Sequence, residues 1–409
     1  MIQGSYIKNA NKSYNKQFSF TVCLICLYFF LSPLEDVLSF GSSGTILKYL
    51  AIGIAFGVIV SEFTYKKSIN IDKYFIFIVY FILLAWVSTV WALDSSVALS
   101  RNIAYTLLPA LYIIVIKLKY SDKDMKLIDS AIVWGGVLTL VYIIITQGLT
   151  GIIAGRLVLT ETSDPNGLAG RLMLSLLVAF KWFVETSSIY KKILYGLISV
   201  ALMMACLLTG SRGAVLSIVV VVIVYFLFSP LKKKLKRLLF LFLFGLIIVF
   251  LINKYLPADL YERLFDVKSY NNAIKTSGQR GDIWKNVLQR IIPKMNFFGL
   301  GSGCGSVKLI EIYGHIKGVH NTYLNMILEY GIFGVTVFAL FLFNIFKDCF
   351  KRKDIYRMCA MGGILAIAFF LDAYATKFFW NTLMYCSIGV SQTIIGGKKN
   401  GLATNKKVI

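Results

Sequence analysis

Apolar stretches of spanning length recur along the whole chain, separated by short polar breaks. They fall near residues 18–33, 45–61, 74–92, 97–116, 127–146, 166–183, 193–209, 213–229, 238–253, 321–346, 358–372 and 378–395. A helix crossing the hydrocarbon needs roughly twenty residues, and about seventeen suffice. The pattern predicts an all-α integral membrane protein of about twelve transmembrane helices, with residues 1–409 forming one polytopic domain. One connection is long: residues 254–319, between spans nine and ten. Within it Trp284, Val287, Leu288, Ile291 and Ile292 repeat at helical spacing. This predicts an amphipathic helix over 281–292 that ends at Pro293. Residues 256–265 (LPADLYERLF) predict a second short helix, and residues 147–165 a shorter outside loop.

Composition agrees with this pattern. The chain is 57% hydrophobic and only 15% charged, with a formal net charge of +23. In a soluble protein that charge would point to nucleic acid. Its placement points instead to topology. With the N-terminus in the cytoplasm, most of the 43 basic residues fall on inside segments, including Lys232 to Arg237, Lys347 to Arg357 and Lys398 to Lys407. Basic residues accumulate on cytoplasmic loops. Both termini are therefore expected in the cytoplasm and the 254–319 loop outside it. The first apolar run follows basic residues and lacks a small-residue cleavage site, so it reads as a retained signal anchor. The seven cysteines make no disulfide framework: five lie in spans, Cys349 lies inside, and only Cys304 is expected to face out.

Candidate chemistry gathers at the outer helix ends. The two histidines, His315 and His320, both close the long loop. Histidine titrates near neutrality and can take a proton from an alcohol; His320, just before span ten, is the stronger candidate. Arginines mark the same face: Arg212 between spans seven and eight, Arg280 at the start of the loop helix, Arg156 in the 147–165 loop, Arg171 inside span six and Arg101 opening span four. A guanidinium near hydrocarbon is costly unless paired, and several on one face suit a phosphorylated ligand. Pairing with Glu161, Asp164 or Asp282 is the alternative. The glycines of Gly299-Leu-Gly301-Ser-Gly303-Cys-Gly305 fit neither a P-loop nor a dinucleotide loop and are expected to permit tight turns. Gly331 and Gly334 suit close helix packing. Glu329, in the same span, is expected to pair with an arginine or to line a polar crevice. No metal site is expected.

In this order, these residues resemble the O-antigen ligase/O-antigen polymerase family of bacterial envelope glycosyltransferases. The resemblance covers about residues 160–345: DPNxLA (Asp164 to Ala169), SRG (Ser211 to Gly213), Arg-x3-Leu (Arg212, Leu216), Gly-x-Arg-x3-Trp (Gly278, Arg280, Trp284), the GLGSG run and His-Asn-x9-Gly-x2-Gly (His320, Asn321, Gly331, Gly334). Ligases often carry a third glycine where this chain has Val337. The resemblance implies a multi-pass inner-membrane enzyme of lipopolysaccharide or other surface-polysaccharide biosynthesis. It would move a glycan from undecaprenyl diphosphate to an acceptor hydroxyl at the periplasmic face, without metal, nucleotide or other cofactor. The acceptor is lipid A–core for a ligase and a second lipid-linked repeat unit for a polymerase; the ligase is favoured. His320 would be the base, Arg212 and Arg280 would hold the diphosphate, and Asn321 would orient the site, with Arg156 and Arg171 as further substrate-binding residues. Attack opposite the diphosphate would invert the anomeric centre. The reading from another class is a transporter or flippase of lipid-linked glycan, which would bury its charges near the bilayer midplane. Membrane lipid is an expected partner and nucleic acid is not.

Overall fold

The computed structural model describes residues 20–40, 44–65, 73–153, 155–229, 245–246, 249–250, 252–266, 280–315 and 318–389. The described residues are helical, apart from turns and a single isolated bridge between Ser39 and Thr45. In chain order the helices are α1 (Phe20–Leu31), α2 (Ile46–Tyr65), α3 (Lys73–Val87), α4 (Ser95–Lys117), α5 (Asp122–Ile153), α6 (Pro165–Glu185) and α7 (Ile189–Leu208). They continue with α8 (Arg212–Phe228), α9 (Ala258–Phe265), α10 (Arg280–Asn286), α11 (Cys304–Tyr313), α12 (Thr322–Lys351), α13 (Ile355–Ile367) and α14 (Lys377–Ser387).

Among the described residues six helical segments are long and apolar enough to cross a membrane: Lys73–Trp91, Ser95–Lys117, Asp122–Gly148, Pro165–Glu185, Ile189–Leu208 and Thr322–Lys351. Four shorter apolar helices lie at Phe20–Leu34, Ile46–Val60, Arg212–Phe228 and Ile355–Ile367. Helices stand at the other eleven apolar runs, while most of the ninth, near 238–253, lies outside the described residues, as does the basic run Lys232 to Arg237. Many apolar side chains on these helices are exposed, among them Phe56, Ile76, Ile103, Ile145, Leu197 and Phe343. Contiguous exposed apolar surface of this extent belongs against lipid.

The bundle has two chemically distinct ends. One gathers the starts of α3, α5 and α13 with the ends of α6, α12 and α14. There Lys73 pairs with Asp348 at 2.7 Å, Lys181 pairs with Asp129 at 2.8 Å, and Arg357 Nη1 donates to the Ile388 carbonyl at 2.7 Å. Asp129 also accepts from the Tyr385 hydroxyl at 2.9 Å. Each buried charge there has a partner, as burial requires.

The other end gathers the starts of α4, α6, α8, α12 and α14 with the ends of α1, α7 and α13, and the loop helices meet it. Two long helices are broken near this end. α5 loses helical geometry at Gly148 (φ 65°, ψ 171°) and α12 at Gly331 (φ 65°, ψ −169°). At the second break the backbone is resatisfied by the glycine run: Leu300 N–H donates to the Leu328 carbonyl at 2.7 Å and Gly301 N–H to the Glu329 carbonyl at 3.0 Å. A Cβ on Gly331 would collide with the Phe297 carbonyl. Gly331 therefore breaks its helix so that the loop can dock, whereas the spacing of Gly331 and Gly334 alone predicts helix–helix packing. Irregular backbone at this depth persists where the freed groups find partners inside the protein.

Two further sequence expectations change. The 281–292 helix is composite: α10 passes into a π-helical turn at Val287–Ile291 and a 3-10 turn at Ile292–Lys294. α4 begins at Ser95, capped by Asp94, so Arg101 lies inside it rather than opening it. Cys304 is buried with its Sγ 3.7 Å from the Asp94 carbonyl.

Candidate functional site

The turn between α7 and α8 lies at the centre of the arginine-rich end. Thr209 caps α7, Gly210 turns the chain with φ +62°, and Ser211 caps α8 by accepting from Ala214 N–H at 3.3 Å. Arg212 is the first residue of α8. Gly213 follows where the Phe370 side chain rests on the helix; a Cβ there would come within 3.2 Å of it. The Ser-Arg-Gly triplet is thus a cap, a cation and a close approach.

Three guanidinium groups meet around this turn. Arg156 donates Nε–H to the Thr209 carbonyl at 2.9 Å and reaches Asn166 Oδ1 at 3.4 Å. Arg263, on the loop helix α9, donates Nε–H to the Gly210 carbonyl at 3.1 Å. Arg212 donates Nε–H to the Arg263 carbonyl at 3.0 Å. Helix C-terminal carbonyls carry partial negative charge and orient cations without neutralising them.

Arg280 adds a fourth. It is partly buried, and among the described residues it makes no hydrogen bond or ion pair. Burial lowers its pKa; Asp164 opposes that, and the fields of Arg263 and Arg212 add to it. Arg156 is likewise lowered to about 10, by burial and by the charges of Arg263 and Arg280. These shifts place Arg156, Arg212, Arg263 and Arg280 in one electrostatic neighbourhood, with Asp164 and Asp372 as the acids. Asp164 is itself engaged, capping α6 through Asn166 and Gly167.

The spacing from Arg280 to Trp284 acquires a reason here. Residues four apart share a helix face. Trp284 donates its indole N–H to the Val319 carbonyl at 2.9 Å, one residue before His320. The tryptophan moors α10 against the histidine segment, with Arg280 one turn earlier on the same side.

His320 is exposed and has φ +50°, one of two non-glycine residues with positive φ among those described. Such backbone strain costs about 1–3 kcal/mol and clusters at functional positions. Its N–H donates to Asp372 Oδ2 at 3.3 Å. Gly318 packs beside both groups: a Cβ there would stand 3.2 Å from the imidazole Nε2 and 3.5 Å from Asp372 Oδ2. Asp372 Oδ1 is buried without a hydrogen-bond partner. Burial raises the Asp372 pKa, while the charge of His320 opposes the shift. The segment carrying Asp372 is stapled to the start of α12: Thr322 N–H donates to the Ala368 carbonyl at 2.8 Å, and Thr322 Oγ1 donates to the Leu371 carbonyl at 2.7 Å. Asn321 is buried as the α12 cap, its Oδ1 accepting from Tyr323 and Leu324 N–H. It caps the helix that directly follows the histidine.

The two remaining candidates stand apart. Arg171 is committed to acids, with Nη1 3.0 Å from Glu35 and 2.7 Å from Asp36, and Nη2 2.6 Å from Asp36. Those acids lie just after α1 and are not the expected partners Glu161, Asp164 and Asp282. His315 rests its Nδ1 2.7 Å from the Tyr313 carbonyl on an exposed turn. Asp282 accepts instead from the Tyr313 hydroxyl at 2.9 Å, within the loop. Glu329 is buried and accepts from Asn325 Nδ2 at 3.2 Å, and the same amide reaches the Tyr374 hydroxyl at 2.9 Å. Among the described residues no three His, Cys, Asp or Glu side chains converge to hold a metal. Sequence reasoning missed Arg263 and Asp372. Arg263 stands among acids in the segment 258–266 and Asp372 in an apolar one, and only the fold brings them to the site.

A cation cluster thus stands beside a strained histidine whose backbone N–H is held by a carboxylate, all at one end of a helical bundle. Residues 197–339 match the O-antigen ligase family model, Wzy_C. The O-antigen ligase match runs from α7 to the middle of α12 and contains Arg212, Arg263, Arg280, His320 and Asn321. Arg156, Arg171 and Asp372 lie outside it. No curated protein matches the chain. Residues 197–339 are thus similar to the O-antigen ligase family, and the apolar helices around them are those of a multi-pass membrane protein.

Proposed function

We propose that the chain transfers a glycan from undecaprenyl diphosphate to an acceptor hydroxyl at the periplasmic face of the inner membrane, as an O-antigen ligase acting on lipid A–core. The observation that carries this reading is Arg280. It is a partly buried guanidinium without a described partner, in the field of three further arginines and one His320–Asp372 pair. A site with this excess of positive charge is built for an anion.

The acceptor hydroxyl gives its proton to His320 as its oxygen attacks the anomeric carbon. The bond from that carbon to the diphosphate oxygen breaks, and undecaprenyl diphosphate leaves. Charge grows on the bridging oxygen, where the arginines stabilise it more in the transition state than in the ground state. Asp372 holds the His320 backbone and favours the imidazolium that forms. Because the leaving group is already activated, no nucleotide or metal takes part. Attack from the side opposite the diphosphate inverts the anomeric centre.

The topology is part of the proposal: about twelve crossings, both termini cytoplasmic, and residues 254–319 periplasmic. Its support is the alternation of helix ends, with the Lys73, Lys181 and Arg357 pairs at one end and the arginine cluster at the other. Against a transporter, the site charges gather at helix ends rather than at the midplane of the bundle.

The test is a deletion strain examined by lipopolysaccharide gel. Loss of every long-chain species attached to core supports the ligase. Core carrying a single repeat unit assigns polymerase activity instead, and an unchanged ladder refutes both.

A further inference from the structure

The loop helix α9 and the α7–α8 turn hold each other through backbone carbonyls. Arg263 Nε–H donates to Gly210 at 3.1 Å, and the Arg263 carbonyl accepts Arg212 Nε–H at 3.0 Å. Leu260 and Leu264, on the same helix, are buried, and a Cβ on Gly210 would lie 3.0 Å from Leu260 and 3.4 Å from Arg263 Cδ. The turn therefore carries glycine where α9 lies closest. We propose that Arg263 is a positioning residue for the anion site, clasping the turn so that Arg212 presents its guanidinium to the diphosphate. The inference rests on the diphosphate reading given above.

Two features of the clasp support this role. Arg212 is held by a carbonyl of the loop, so its orientation depends on α9 being docked. Arg263 is itself held by a carbonyl and by no described acid, so its own charge is kept beside Arg156. In contrast, Arg171 and Lys181 are held by carboxylates. A guanidinium oriented by an acid is fixed but largely neutralised; one oriented by a carbonyl is fixed and keeps its charge for a ligand.

The test measures binding of inorganic pyrophosphate to the purified full-length protein in nanodiscs by titration calorimetry. Arg263→Ala is expected to weaken binding about tenfold, the scale of one lost charge-assisted hydrogen bond. In an Arg212→Ala background the same change is expected to add no more than about twofold, because its route to the ligand is gone. Arg263→Gln, which keeps an N–H donor, is expected to bind better than Arg263→Lys, which keeps the charge but not the planar donor. This pair carries the test if Arg263→Ala does not fold. Additive losses, lysine outperforming glutamine, or wild-type protein that binds no pyrophosphate overturns the clasp. Transfer from a lipid-linked glycan donor is assayed in the same nanodiscs. Wild-type protein that shows the coupled binding but no transfer refutes the transfer reading and leaves the clasp standing.

Discussion

Replacing Arg171 with alanine separates a structural cation from a substrate-binding one. The Arg171 side chain is 5% exposed and meets Glu35 and Asp36 through three contacts of 2.6–3.0 Å. Removing one partner of a buried ion pair costs about 3–5 kcal/mol, because a carboxylate is left buried and uncompensated. Glu35 retains Lys377 at 2.9 Å, and the Asp36 side chain is 29% exposed, so the lower end, about 3 kcal/mol, is expected. Burial alone would raise the Asp36 pKa, but hydrogen bonds and charge from Arg171 outweigh it and hold the carboxyl below its usual value. A carboxyl depressed in the folded state contributes stability that is present above its unfolded pKa and lost as pH falls through its folded pKa. The stability difference between wild type and Arg171→Ala should therefore be largest near neutrality and shrink as the pH drops below about 4. The assay is thermal unfolding of detergent-solubilised protein followed by tryptophan fluorescence, with transfer per folded molecule measured in parallel. A variant that melts like wild type yet loses transfer refutes the clamp and returns Arg171 to the substrate site.

Asp372→Asn should lower the transfer rate about tenfold or more without weakening donor KM, since it removes the charge beside His320 while leaving all four arginines in place; a change confined to KM contradicts that role. Arg280→Lys should weaken donor use about tenfold, read as kcat/KM on a lipid-linked donor, because an ammonium cannot match two phosphate oxygens with a planar fork. Gly331→Ala should destabilise by about 3 kcal/mol or more, from positive-φ strain plus the collision with Phe297, read as a lowered melting temperature. A wild-type melting curve for Gly331→Ala would show that the break in α12 is not required.

The helices were legible because lipid demands long unbroken apolar runs, and α3 to α8, α12 and α13 stand on those runs. The motif residues were legible as a set, and the fold assigns them separate tasks. Ser211, Asp164 and Asn321 cap helices, Trp284 moors a loop helix, and Gly331 breaks a helix. Arg171 looked equivalent to Arg212 because both are cations near an outer helix end. What separates them is a partner more than 130 residues away in Glu35 and Asp36, a distance no local pattern records. Arg263 and Asp372 were illegible for the converse reason: α9 and the α13–α14 connection become part of the site only by docking onto the α7–α8 turn and the start of α12.

The measurement that bears most directly on the account is glycan transfer by His320→Ala protein reconstituted with an undecaprenyl-diphosphate-linked donor and a lipid A–core acceptor. Transfer should fall by about 10²–10⁴-fold, the contribution of a general base, while membrane insertion and melting temperature stay at wild-type values. Near-normal product from this variant would contradict the assignment of the site.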